Sequence, residues 1–283
     1  MRRLRLSVAI LVAVIAAPLA GLHGQVQDPP IPHDSGQSVS PSFEGWYKNS
    51  DGTYSLSFGY FNRNFKEEPD IEVGANNKFS PGAEDRGQPT HFMTRRVFGA
   101  FAVVVPKEAA ADKNFKLTWT ITAHGQTIAI PGHLRPEWEI DALKESTSGN
   151  VPPILRFEPN GPTGLGPLGI TASMKTAASQ PTPLVIYATD DGVKKKDAQA
   201  MMSAGLGVAW SKYRGHGTVK FDPESPKVVD GKATTMATFS EPGEYMLRLH
   251  AWDDSGRYAG GFQCCWSNGF MKASVAGTST QGR

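Results

Sequence analysis

The chain has 283 residues, with 29 basic against 27 acidic side chains, 30 glycines, 21 prolines and only two cysteines. This balance excludes the basic stripe that nucleic-acid binding requires, so no nucleic-acid partner is expected. The glycine and proline content argues against a mainly helical protein, because both residues penalise helix interiors.

Residues 1–24, MRRLRLSVAILVAVIAAPLAGLHG, read as a secretory signal peptide. Arg2, Arg3 and Arg5 precede an apolar run from Leu6 to Ala17, and small residues follow at Ala20, Gly21 and Gly24. The run is short for a membrane span and Pro18 ends it, so no stable transmembrane segment is expected after cleavage. The predicted location is secreted or periplasmic, where disulfides persist. Loss of three arginines leaves 26 basic against 27 acidic residues.

Residues 25–42 lack apolar periodicity and carry four prolines, which predicts a flexible leader, with organised sequence starting at Phe43. DGTYSLSFGYF places Tyr54, Leu56, Phe58 and Tyr60 on one face of a strand after an Asp51-Gly52 turn. Residues 62–96 are polar and rich in Asn, Gly and Pro, which predicts a long loop or several short extended pieces. Strands return at 96–106 and 115–132; the second segment reads as a hairpin turning at Ala123 to Gln126 around Gly125. Residues 43–142 therefore form one expected antiparallel β domain, followed by a linker at 143–153.

Beyond the linker, GPTGLGPLG lacks the GK[ST] of a phosphate loop and reads as an irregular connection. PLVIYAT is a strand ending at Asp190-Asp191-Gly192, and VKKKDAQAMMSAG, 193–205, is the one expected helix. Short strands follow as LGVAWSK, TVKF, KATTMATF and GEYMLRLHAWD. In the last of these, Tyr245, Leu247, Leu249 and Ala251 face one way, and Met246, Arg248, His250 and Trp252 the other.

FSEPGEYMLRLHAWDDSG resembles the E–F corner and F strand of immunoglobulin-like domains, especially PKD-type and related bacterial modules. GLGVAWSKYRGHGTVKF resembles their C strand, with Trp210 as the core tryptophan. The resemblance covers 154–278; it implies a β-sandwich with Tyr245 hydrogen-bonding back across the corner, and says almost nothing about activity. Segments 157–181, 193–205 and 257–269 depart from the pattern, and 279–283 form a short disordered tail. The fold class is thus all-β: two antiparallel β domains, the second an immunoglobulin-like sandwich.

If the resemblance holds, Asp190 and Asp191 close strand B while Asp253 and Asp254 close strand F, at the same end of the sandwich. Four carboxylates there suit a hard cation such as calcium; the same sequences also suit ordinary Asp-capped turns. No other cofactor is expected. No HExxH, close His/Asp cluster or G-x-S-x-G elbow appears. In the first domain Trp46, Tyr47, Arg63, Arg95 and Arg96 flank the strands and are candidates for stacking on a sugar or anchoring a protein. Trp266 is a further candidate ligand-binding residue.

GGFQCCWSNGF holds Cys264 and Cys265, the sole cysteines. In a regular strand they would face opposite ways and could not bond, so a vicinal disulfide requires a turn. Three readings stay open: that disulfide, buried thiols, and intermolecular pairing. The functional expectation is a secreted or periplasmic protein with a binding, adhesive or envelope-structural role, its partner an envelope protein or a polysaccharide. The alternative is a secreted hydrolase with its site in the first domain and the 62–96 loop, where His91 would have to meet acidic residues and arginines in a cleft.

Overall fold

Fourteen strands account for the architecture, in a computed structural model that describes residues 32–146, 148–193, 205–253 and 264–277. The expected signal peptide, most of the leader, the helix at 193–205 apart from its ends, Asp254 and the 279–283 tail lie outside the described residues.

In the first domain, strands β1 (Val39–Lys48), β2 (Tyr54–Asn62) and β4 (Arg95–Val105) form one antiparallel sheet in the order β1-β2-β4. Strands β3 (Asn77–Ser80), β5 (Leu117–Ala123) and β6 (Gln126–Gly132) form a second sheet, in the order β3-β5-β6. Their facing sides bury Leu56, Phe58 and Tyr60, as the period of two requires. Phe58, Phe79, Phe101 and Trp119 make edge-to-face and stacked pairs at 5.0–6.0 Å. The β5–β6 hairpin turns at His124 and Gly125, both at positive φ (47° and 74°).

One detail differs from the sequence reading. Strand β1 begins at Val39, inside the expected leader, because the side chains of Val39 and Phe43 join the core. The 62–96 segment stays ordered because buried amides replace the missing sheet partners. Asn77 donates to the carbonyls of Ile71 (2.9 Å) and Pro89 (2.7 Å) and accepts from Trp119 Nε1 (2.9 Å). Asn62 donates to the Glu67 and Phe92 carbonyls and accepts from Asn64. A fully satisfied buried amide fixes the backbone it bonds.

The second domain has two four-stranded sheets. One has the order β11-β12-β9-β7, built from β7 (Ile154–Arg156), β9 (Thr182–Thr189), β11 (Val219–Asp222) and β12 (Lys232–Phe239). The other has the order β10-β13-β14-β8, built from β8 (Ile170–Ala177), β10 (Gly207–Arg214), β13 (Gly243–Trp252) and β14 (Trp266–Ala276). In immunoglobulin lettering these are D-E-B-A and C-F-G plus an extra first-strand segment, β8, running parallel to β14. The Tyr245 hydroxyl donates to the Glu241 carbonyl at 2.9 Å, closing the expected corner. Trp210 is 1% exposed and packs near Phe157 and Phe221. Strand β8 was hidden in the segment read as a departure from the pattern, because its side chains alternate between intermediate and exposed and none is fully buried.

The chain between the domains turns back on itself, with Glu145 N–H donating to the Asn150 carbonyl and Gly149 N–H to Glu145. Tyr213 of β10 and Phe270 of β14 join the hydrophobic core of the first domain, with Met246 packed against it. The β10-β13-β14-β8 sheet thus contributes side chains to both cores.

Candidate functional site

Strand β13 brings charge to the seam between the domains. Leu247, Leu249 and Ala251 fill the sandwich, so parity turns Arg248 and His250 toward β4. Arg248 is 6% exposed. Its Nε donates to Asn268 Oδ1 (3.0 Å) and its Nη2 to the carbonyl of Gly99 (3.2 Å). Asn268 in turn donates to the carbonyls of Gly99 (2.7 Å) and Pro167 (2.8 Å). Gly99 is required here: its φ is 47°, and an added Cβ would collide with the Trp266 indole.

Across the seam, Glu44 is buried in the first domain, in an irregularity of the β1–β2 register between Phe43 and Gly45. Gly59, beside it, leaves the volume that its carboxylate occupies. Arg96 Nη2 donates to Glu44 Oε1 (2.8 Å) and the Gly99 amide donates to Oε2 (2.5 Å). Burial pushes the Glu44 carboxyl up to about 7; the Arg96 charge and the Gly99 N–H oppose that rise without cancelling it.

Arg96 and Arg248 of this network line a cavity of about 110 Å³. Its walls include Arg96, Arg248, His250, Trp266 and both cysteines, and among the described residues no carboxylate lines it. Cys264 and Cys265 are placed as a vicinal disulfide, with Cα atoms 3.1 Å apart, the first of the three readings. The pair is buried, with Cys265 Sγ lying 3.6 Å from the Asn150 carbonyl oxygen. Trp266 is 5% exposed, and its Nε1–H has no acceptor among the described residues. Such a donor-only group, once buried, is costly without an acceptor. The arrangement can hold a small acceptor-bearing group; space for several waters, cationic side chains and an idle donor suit it to that.

Of the candidate ligand-binding residues, Arg96 and Trp266 meet at this cavity. Trp46 and Tyr47 do not, and the reading of them as recognition residues is corrected. Both are buried in β1, Trp46 donating to the Arg135 carbonyl (2.7 Å) and the Tyr47 hydroxyl accepting from Leu168 N–H (3.2 Å). Flanking aromatics were absorbed because 133–143 fold back over that strand, a contact remote in sequence. Arg63 is exposed, and Arg95 lies over Phe61 and Phe65 (5.0 and 4.2 Å to the ring centres). Arg248, Asn268 and Glu44 were missed as site residues. A charged residue inside FEGWY and one inside MLRLHAW were the available signals.

Three of the four expected aspartates lie among the described residues, and each accepts from amides. Asp190 accepts from Gly192 N–H, Asp191 from Val151 and Val193 N–H, and buried Asp253 from Asn150 Nδ2 at 2.7 Å. Among the described residues no group of three or more His, Cys, Asp or Glu side chains is placed to hold a metal ion.

His91 meets acidic residues and a lysine. Its Nδ1 lies 2.8 Å from Asp70 Oδ1 and its Nε2 3.2 Å from Glu68 Oε2, while Lys212 of β10 donates to Asp70 Oδ2 (3.1 Å). Burial would lower the imidazole pKa, but the bonds to Asp70 and Glu68 prevail and raise it. Bonding to His91 holds Glu68 below its ordinary value; for Asp70, burial is outweighed by bonds from His91 and Lys212, with the same result. A cavity of about 280 Å³ adjoins this cluster.

No family model matches the chain, and no curated protein matches it. Among solved structures, it is similar to the fibronectin(III)-like modules of Clostridium thermocellum CbhA, at 12% identity and a TM-score of 0.25, over 87% of this chain and 98% of that one. It is also similar to domains 4 and 5 of the S-layer protein SbsC (10%, TM-score 0.24, 85% and 98% covered). The D0-D1 domain of Intimin is comparable (10%, TM-score 0.23, 84% and 98%). At such scores the superpositions carry no argument, and the sandwich assignment rests on strand order and the tyrosine corner.

Proposed function

We propose that this is an exported binding protein of the cell envelope or its surroundings, and that the seam cavity receives an acidic group of its ligand. One observation carries this reading: Arg96, Arg248, His250 and the idle Trp266 donor wall a space that no carboxylate lines among the described residues. Glu44 behind Arg96 offsets one positive charge, and its raised pKa makes that offset partial near neutrality. Export rests on the 1–24 segment, and the Cys264–Cys265 disulfide suits an oxidising compartment. The finer kinship of 154–278 to PKD-type modules, and the placing of the domain boundary at 143–153, rest on the sequence.

The test is a titration followed on the tryptophan indole N–H resonances. One resonance, absent from Trp266→Phe, should move with acetate or succinate and stay still with acetamide. Indole resonances unmoved by every carboxylate at saturating concentration would sink the proposal.

The hydrolase reading draws on His91 beside its own cavity. Against it, both ring nitrogens already face carboxylates, so the imidazole is held as an ion-pair partner instead of a free base. Turnover of chromogenic esters or glycosides that disappears in His91→Gln would restore that reading.

A further inference from the structure

The structure assigns a second, independent binding surface to the first domain: a basic cleft beside an exposed tryptophan, which we propose binds an acidic polysaccharide. The cleft, about 430 Å³, lies between the 107–116 segment and the chain after β6. Lys113, Lys116, Arg135 and His133 line it, against one carboxylate, Asp112. Asp112 is already engaged, accepting the Asn114 N–H at 2.8 Å. No ion pair among the described residues involves Lys113, Lys116 or Arg135.

This surplus is local. The whole chain carries 29 basic against 27 acidic residues, so composition does not force three unpaired cations into one cleft. Several cations elsewhere are paired with carboxylates, Arg214 with Asp85, Lys212 with Asp70 and Arg96 with Glu44, whereas these three converge on one cleft. Unpaired cations converging on a concave surface attract a polyanion, and the attraction weakens with salt.

The adjoining aromatic favours a sugar. Trp138 is 41% exposed, yet its ring is held against Phe43 (5.5 Å, 27°) and edge-on to His133 (5.5 Å, 85°). A fixed, exposed indole face offers the flat apolar platform on which the C–H face of a pyranose packs. His133 contributes a polar group, its imidazole lining the cleft. Burial, then the nearby Arg135 charge, lower the His133 pKa, so the ring is neutral at pH 7 and can bond a hydroxyl. Cations for carboxylates, a neutral imidazole for hydroxyls and a ring for the sugar face are the elements of an acidic glycan site. The volume lies within the range of small-ligand clefts.

The experiment uses the full chain and measures binding to polygalacturonate, dextran sulfate, neutral dextran and a single-stranded oligonucleotide. Polygalacturonate should bind, dextran should not, and the Lys113→Ala/Lys116→Ala/Arg135→Ala variant should lose on the order of tenfold in affinity. Trp138→Ala should weaken polygalacturonate by a similar factor. All four side chains are exposed, and unchanged melting of the variants checks that the fold is retained. Tighter binding of dextran sulfate than polygalacturonate, with the same dependence on Trp138, supports the site and identifies sulfate as its preferred anion. The proposal is overturned by absence of binding to either acidic glycan, by equal binding of dextran, or by equal or tighter binding of the oligonucleotide. Insensitivity to either variant overturns it too. Because the seam titration uses a different probe and a different tryptophan, failure here leaves that result standing, and the reverse.

Discussion

Glu44→Gln isolates the electrostatics of the seam. The carboxyl is nearly fully buried, and its pKa rises from 4.5 to about 7 on folding. A carboxyl with a raised folded pKa binds more protons folded than unfolded between those values. Its contribution to stability is therefore greatest below pH 4.5 and falls as pH rises through about 7. That gap corresponds to about 3 kcal/mol. In Glu44→Gln nothing titrates at this position, while the other groups titrate as in the parent and cancel. The stability difference, parent minus variant, should thus fall by about 3 kcal/mol from pH 4 to pH 8. In a chain of this size that moves the difference in Tm by roughly 6–12 °C. Calorimetric melts of both proteins across that range measure it directly. Parallel Tm curves, or a difference that grows with pH, would refute the reasoning and place Glu44 in contact with water or a stronger cation.

Three further outcomes are expected. His91→Gln should cost about 1 kcal/mol near pH 5.5, discounted because Glu68 and Asp70 are more than a third exposed. Since the His91 pKa is raised, that cost should persist below pH 6.5 until the carboxylates protonate, and shrink as pH climbs above it; denaturant melts at pH 5.5 and 9 decide this. Tyr245→Phe removes the hydroxyl that donates to Glu241 and should cost about 1 kcal/mol in urea unfolding; a neutral change would argue against the corner. Unfolded, unreduced monomer should take up no iodoacetamide and reduced monomer two equivalents, since Cys264 and Cys265 are bonded to each other; uptake without reduction would contradict the disulfide.

Comparison with solved structures left the function to the chain's own chemistry. The seam and the basic cleft divide that chemistry: one lies between the domains and is lined by Arg96 and the buried Arg248, the other lies on the first domain and is lined by the exposed Lys113, Lys116 and Arg135. Both are read by charge imbalance inside a nearly neutral protein.

What the sequence determined by itself was local. Alternation in YSLSFGYF and EYMLRLHAW set which side chains of β2 and β13 face a core, because a strand repeats every two residues. The Pro-Gly corner before Tyr245 and the position of Trp210 were enough to identify the second sandwich, since corner and core tryptophan lie close to their partners along the chain. The tertiary structure decided whatever depended on distant pairs. Trp46 and Tyr47, which flank strands, are covered by residues about ninety and more positions away, and so serve packing. Glu44 and Arg96 are fifty-two residues apart; Arg248 and Gly99 are 149 apart. Parity showed that Arg248 leaves its own core, but only the packing of β4 against β13 decided that it enters a seam instead of water. The adjacent cysteines lie between these cases. Their proximity is written in the chain, whereas the turn that lets them bond, beneath the Asn150 carbonyl, belongs to the fold.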